Sequence, residues 1–319
     1  MLEFGKFKGV CEIAPLPLCK LVESKYDSGP ACYARSVDTF SQVLFQPATL
    51  TIHIISLIMT VFMIIHVKTK YIALGRKEFV QFFYLYMLET IFEFVIISGL
   101  IRTTYIAYKY LVAIYYGFVS ATIFCLFFNG FVGYQLIEDG TKLSVWSIRL
   151  GSSLAFAVSF LISIATFENF LLSTNNPVVL WSWIYIVNGT ILLLYTISQI
   201  VLVWKTCDDY WPIGNIILGF TFFILGQVIL NILSSQLCSF SSHYLDGMFP
   251  STVLTLLAVM MIYKYWDSLT KEDIEFTVSK DPHQWEVKDL LMEPEQQFPL
   301  NFNNTYGRSS HYHRTSKPM

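Results

Sequence analysis

Seven apolar runs alternate with short polar breaks along the chain, at 48–67, 79–101, 111–137, 146–168, 178–203, 212–234 and 249–266. A run of about 20 residues, rising ~1.5 Å per residue, matches the hydrocarbon thickness of a bilayer. The pattern predicts an all-α membrane protein with seven transmembrane helices. A polar head, residues 1–47, precedes the first run, and a tail, residues 267–319, follows the seven-helix block of 48–266. The tail turns acidic, acquires prolines and ends rich in Asn and Ser. Such a segment buries too little apolar surface to offset its ordering entropy, so most of it is expected to be disordered.

Composition agrees. Of the 319 residues 54% are hydrophobic and only 14% charged, against about 25% charged in soluble domains. A net charge of −2 excludes a nucleic-acid partner, which needs a clustered basic face; membrane lipid is the surrounding partner. Met1–Val10 holds Glu3, Lys6 and Lys8 and no apolar core, so no cleavable signal peptide is expected and insertion falls to the first span.

Orientation follows from the stretch His66–Glu78, which separates the first two runs and carries Lys68, Lys70, Arg76 and Lys77. Basic residues in short loops stay cytosolic. By alternation the head is then lumenal and the tail cytosolic, with Lys142 and Lys205 in later cytosolic loops and no Lys or Arg in 169–177 or 235–248. Trp181, Trp183, Trp204, Tyr210, Trp211, Tyr263, Tyr265 and Trp266 fall where spans should meet water, the level amphipathic rings prefer.

Small residues recur every four positions in spans three and four: Gly117, Ala121, Cys125, Asn129 and Gly133, then Gly151, Ala155, Ser159 and Ser163. Each set shares a helical face, and small faces let backbones approach closely in lipid. Packing of these two spans against each other is favoured over a surface for a partner. Within span two, Glu89 and Glu93 lie one turn apart, and His53 in span one sits at similar depth to Glu93. Ionisable groups at that depth are functional candidates. A structural polar bridge that tolerates neutral amides is favoured over a proton relay, because no second acidic span completes a path.

Cys11, Cys19, Cys32 and Cys238 all fall on the lumenal side, Cys125 lies within a span, and Cys207 is cytosolic. Four thiols in an oxidising compartment predict two disulfides, with three possible connectivities. The pairing taken forward is Cys32 with Cys238, leaving Cys11 with Cys19. The rival is a metal site, but His243 is the only nearby imidazole and no CxxC spacing exists. The sequons at Asn188 and Asn303 sit in a span and in the cytosolic tail, where no glycan is added. No Gly-rich phosphate loop, HExxH or nucleophile elbow is present, so the sequence predicts no enzyme, no catalytic residue, no metal and no cofactor.

Seven strings resemble those of the fungal chitin synthase export chaperones, multispan proteins of the endoplasmic reticulum. In order they are Pro15-Leu-Pro-Leu-Cys19, Cys32-Tyr-Ala-Arg-Ser36, Lys70-Tyr-Ile-Ala-Leu-Gly-Arg76, Glu138-Asp-Gly-Thr141, Leu225-Gly-Gln-Val228, His243-Tyr-Leu-Asp-Gly-Met-Phe249, and Met261-Ile-Tyr-Lys-Tyr-Trp-Asp267 with Glu272-Asp-Ile-Glu-Phe276. The resemblance implies a chaperone of the endoplasmic reticulum membrane that binds a chitin synthase client, allows it to fold and leave, and so supports cell-wall chitin synthesis. Asp273 and Glu275 have the acid-x-acid form read by coat-protein export machinery, although on composition alone such charges are more often plain solvated surface. Two other classes compete. A seven-span receptor coupled to cytosolic partners has the same span count, but no acid-Arg-aromatic triplet ends span three. A proton-linked transporter would rest on Glu89 and Glu93 alone, and no internal repeat supports it.

The charge asymmetry around Lys68–Lys77 makes one prediction. Protease added to sealed microsomes should remove a tag placed after Met319 and spare one placed before Met1. Protection of the C-terminal tag contradicts the assignment.

Overall fold

The computed structural model describes residues 4–22, 32–39, 42–71, 73, 75–134, 140–170, 172, 174, 176–206 and 210–279, with only the backbone of 38–39, 42–44 and 271–279. The chain divides into two units, Met1–Phe276 and Thr277–Met319. The first contains the head and the helical bundle.

Two one-turn helices, α1 (Lys8–Cys11) and α2 (Cys19–Val22), and an antiparallel hairpin of β1 (Val37–Thr39) and β2 (Gln42–Leu44) make up the head. Seven long helices come next: α3 (Pro47–Thr69), α4 (Arg76–Ile97), α5 (Ile106–Val132), α6 (Lys142–Phe167), α7 (Val178–Thr206), α8 (Trp211–Phe240) and α9 (Met248–Ser279). All seven are long and apolar enough to cross a membrane. Two contain π-helical segments, Ser182–Val187 in α7 and Ile229–Leu233 in α8.

Local chemistry sets the helix ends. Pro47 and Pro212 stand in the first turns of α3 and α8, where a missing N–H costs nothing. Thr141 caps α6, its Oγ1 accepting from the Ser144 N–H at 3.2 Å, the expected role of a threonine at that position. Beyond Ile97, Gly99 takes φ +74, and a side chain there would press on Phe45 at 2.4 Å, so α4 can turn this tightly only at a glycine. The last helix runs on through Ser279, well past the expected boundary at Trp266. No Pro or Gly interrupts 267–279, and Pro282 is the first residue that disfavours helix before it.

The α5–α6 pair packs through its small residues. Ser120 Oγ donates to Ser159 Oγ at 3.1 Å, and Ser159 Oγ lies 2.9 Å from the Tyr116 carbonyl. Ala121, Ala155, Ser159 and Ser163 are buried. Gly117 lies under Phe156 and Gly151 under Phe128, whereas Gly133 receives Leu202 of α7. The ladder on α5 therefore serves two neighbours, because it drifts around the helix over four turns. On the opposite side of α6, Leu143, Trp146, Leu150, Leu154 and Leu161 are exposed and face lipid.

Apolar clusters close both ends. At the head end Phe7, Cys11, Leu18 and Val22 pack on Tyr108, Val112, Phe167 and Leu180. At the other end Phe79, Phe82 and Phe83 join Met63, Val67, Tyr265 and Trp266. Phe79 stacks on Trp266 with ring centroids 5.2 Å apart and 10° between planes. Tyr265 and Trp266 are thus core residues rather than interfacial anchors; Trp204, Tyr210 and Trp211 are exposed rings.

Gly151→Leu should lower stability by about 1–3 kcal/mol, the cost of overpacking a filled interface. Gly214→Leu, where a side chain meets nothing within 4 Å, is the control. Thermal unfolding of both variants in detergent measures the difference, and equal melting temperatures would contradict the packing described.

Candidate functional site

At the head end the chain is covalently stapled. Cys11 bonds Cys19, and Cys32 bonds Cys238 across a sequence separation of 206. Cys125 is a free, buried thiol; Cys207 lies outside the described residues. The Tyr108 hydroxyl donates to the Pro17 carbonyl at 3.1 Å, and the Arg35 N–H donates to the His243 carbonyl at 2.8 Å. These contacts seat the head on α5 and on the α8–α9 loop. His243, at φ +68, holds Nδ1 3.1 Å from Cys32 Sγ. Cys32, Cys238 and His243 could otherwise hold a metal ion, but bonded sulfurs are not thiolates and the set does not fit one. Asp246 starts α9, its Oδ1 accepting from the Met248 N–H at 3.2 Å. Burial pushes its carboxyl above the ordinary carboxylate range, and backbone N–H groups of Phe249 and Met248 partly offset that. Burial likewise lowers the Lys20 ammonium.

At the opposite end the basic loop is tied down. Lys70 pairs with Asp267 at the exit of α9, Lys68 Nζ donates to the Tyr84 hydroxyl at 2.5 Å, Arg76 Nη1 to the Lys68 carbonyl at 3.1 Å, and Lys77 Nζ to the Gly140 carbonyl at 3.1 Å. The His66 ring and the Tyr263 hydroxyl are 2.5 Å apart. Glu78, 1% exposed, accepts from the Gly140 N–H at 2.8 Å and from Ser144 Oγ at 2.9 Å. A carboxylate at the N-terminus of α6 complements the helix dipole, so Glu78 locks α4 to α6. By sequence pattern Glu78 is only the end of the basic loop. The available signal was an acid in the first turn of a span, in a chain where a Gly-Thr helix start offers it donors. Asp273 and Glu275 fall in the last turns of α9, and their side chains lie outside the described residues.

Between these ends, at membrane depth, is a cavity of about 400 Å³ walled by six of the seven spans, all but α6, with Leu16 of the head contributing to its lining. His53 is fully buried on α3. Its Nδ1 lies 2.7 Å from the Thr49 carbonyl; a carbonyl only accepts, so Nδ1 carries the proton. Nε2 then faces Glu93 Oε2 at 3.2 Å, and the pair bridges α3 and α4. Glu89 faces the same cavity but is not in that ion pair; its neighbour is Thr122 of α5. Only Glu93 is in the ion pair, while Glu89 remains close enough to interact with it through charge. Around them Trp183 Nε1 and Asn188 Nδ2 both donate to Ser120 Oγ at 3.1 Å, and the Tyr185 hydroxyl donates to Asn231 Oδ1 at 2.9 Å. Nothing among these groups pairs a nucleophile with a base.

Seven spans, a stapled head and a largely apolar membrane-level cavity define the class: a polytopic membrane protein. A family model described as chitin synthase export chaperone matches residues 3–280, and the chain belongs to that family. Among curated relatives of that description, one from Gibberella zeae is 47% identical over 98% of this chain and 96% of its own length. One from Chaetomium globosum is 46% identical over 99% and 97%, and one from Aspergillus fumigatus 45% identical over 98% and 97%. No solved structure gives a significant match. The family is one of chaperones and not of enzymes, and neither the receptor nor the transporter reading gains support.

Thiol labelling of denatured, unreduced protein should modify Cys125 and Cys207 alone and reach all six cysteines only after reduction. Labelling of six without reductant contradicts the stapled head.

Proposed function

We propose that the chain is a membrane-embedded chaperone of the endoplasmic reticulum that binds a chitin synthase without nucleotide chemistry and makes it competent to leave. The observation that carries this reading is the family match across residues 3–280. Physical chemistry supplies the reason for such a protein. A multispan enzyme exposes polar residues and small-residue faces to lipid until its own helices assemble, and a helical partner can cover them in the meantime. The absence of any nucleotide loop from the sequence fits a binding cycle driven by the client's own assembly.

The head faces the lumen in this reading. Charge places the His66–Glu78 loop in the cytosol, and the four paired cysteines at the opposite end of the bundle suit an oxidising compartment. Asp273 and Glu275 then stand in the cytosol just beyond the membrane, within reach of a vesicle coat, and serve as the export signal.

In cells that lack the chain, a tagged chitin synthase should accumulate in the endoplasmic reticulum and cell-wall chitin should fall; normal delivery overturns the reading. Asp273→Ala with Glu275→Ala should leave client binding intact but slow the exit of chaperone and client together. Surface changes of this kind alter stability by no more than ~0.5 kcal/mol, so normal surface delivery in the double variant would reduce these acids to solvated charge.

A further inference from the structure

The membrane-level cavity is mostly apolar, and a few polar side chains converge on it. Glu93 is engaged with His53. Glu89 faces the open space with the Thr122 hydroxyl for company. Asn188 is 3% exposed and lines the same cavity; its amide nitrogen is used on Ser120, while Oδ1 has no hydrogen-bond donor. Buried acceptors without donors cost several kcal/mol in an apolar medium. One group that can serve Glu89 and Asn188 together brings several N–H donors and a positive charge, which describes an ammonium or a guanidinium.

The wall between α7 and α8 is where such a group can enter. Both helices switch to π geometry here, over Ser182–Val187 and Ile229–Leu233. Tyr185 of one segment and Asn231 of the other are joined by a single hydrogen bond across the seam. π-helical bulges are kept mostly at functional sites, because the irregular turn sacrifices regular hydrogen bonding. One turn beyond Tyr185, Gly189 also lines the cavity, and a side chain there would meet nothing within 4 Å. On α8, Ile224 also lines the cavity and is 43% exposed.

We propose that this cavity receives a lysine or arginine side chain from a transmembrane helix of the client, entering between α7 and α8 to pair with Glu89. The inference rests on the chaperone reading and names the chemistry of its docking site. Depth selects the source. Glu89 is about 12 Å below the head-end terminus of α4, at ~1.5 Å per residue, beneath the level at which lipid amines reside. A charged residue within a client helix can occupy any depth. It also lacks a partner there until its own bundle assembles, which makes a temporary counter-ion useful.

The test uses the full chain in cells with a photo-crosslinking residue substituted for Ile224, and follows both the adduct with chitin synthase and its co-purification in detergent. With Ile224 alone substituted, a synthase adduct should form. Glu89→Gln, which the purely structural role expected from the sequence would tolerate, should reduce it about tenfold or more, the scale of a lost charge-assisted hydrogen bond. Gly189→Trp should do the same by filling the mouth, since its Cβ has nothing within 4 Å and its ring has room to enter. Persistence of the Cys32–Cys238 bridge in each variant shows that the fold is retained. If the synthase co-purifies but both variants leave its adduct unchanged, or if the adduct is only with lipid, the docking site is wrong and the chaperone reading stands. If no synthase co-purifies with the otherwise unaltered chain, the chaperone reading fails and this proposal with it.

Discussion

Hydrocarbon offers no hydrogen-bond partner, so a polar group placed at membrane depth has to find one within the protein. That constraint organises this fold. Ser120 collects donors from Trp183 and Asn188 of α7 while it reaches Ser159 of α6, fixing three helices at one point. Gln199 of α7 donates to the Gly130 carbonyl of α5 and accepts from the Tyr265 hydroxyl of α9. Glu78 ties α4 to α6 in the same way. Dispersion between small-residue faces brings the helices close; these polar links then set their register.

The two ends of the bundle are held by different means. Disulfides and a packed cap of Phe7, Leu18 and Leu180 secure the head end. At the other end the Lys70–Asp267 ion pair and the Phe79–Trp266 stack join the start of α4 and the loop before it to α9. Between them lies a cavity whose polar groups are only partly matched. A frame fixed at both ends and incompletely satisfied in the middle suits a protein whose task is to hold another membrane protein for a while. A fully matched interior would have nothing left to offer a client.

Much of this was legible in the residue pattern, and the physics explains which part. Apolar run length marks a span because bilayer thickness imposes it, so all seven helices could be read directly. The four-residue spacing of Gly117 and Ala121, and of Ala155 and Ser159, exposed the α5–α6 contact for a similar reason. The π-helical segments were not legible: a single extra residue per turn leaves no mark on the periodicity of Ser182–Val187 or Ile229–Leu233. Nor was the division of labour between Glu89 and Glu93. Their spacing places them on one face, but only the tertiary position of His53 decides which carboxyl is engaged. Trp266 resembled an interfacial anchor because hydropathy cannot distinguish a ring at the membrane surface from one stacked on Phe79.

A chaperone that acts by covering exposed transmembrane polarity needs no energy source beyond the client's own assembly. The most direct measurement is binding between the purified chain and a purified chitin synthase, both reconstituted in lipid nanodiscs, with and without ATP. The account predicts a saturable complex whose affinity is indifferent to nucleotide. A complex that forms or releases only with ATP, or no complex at all, would contradict it.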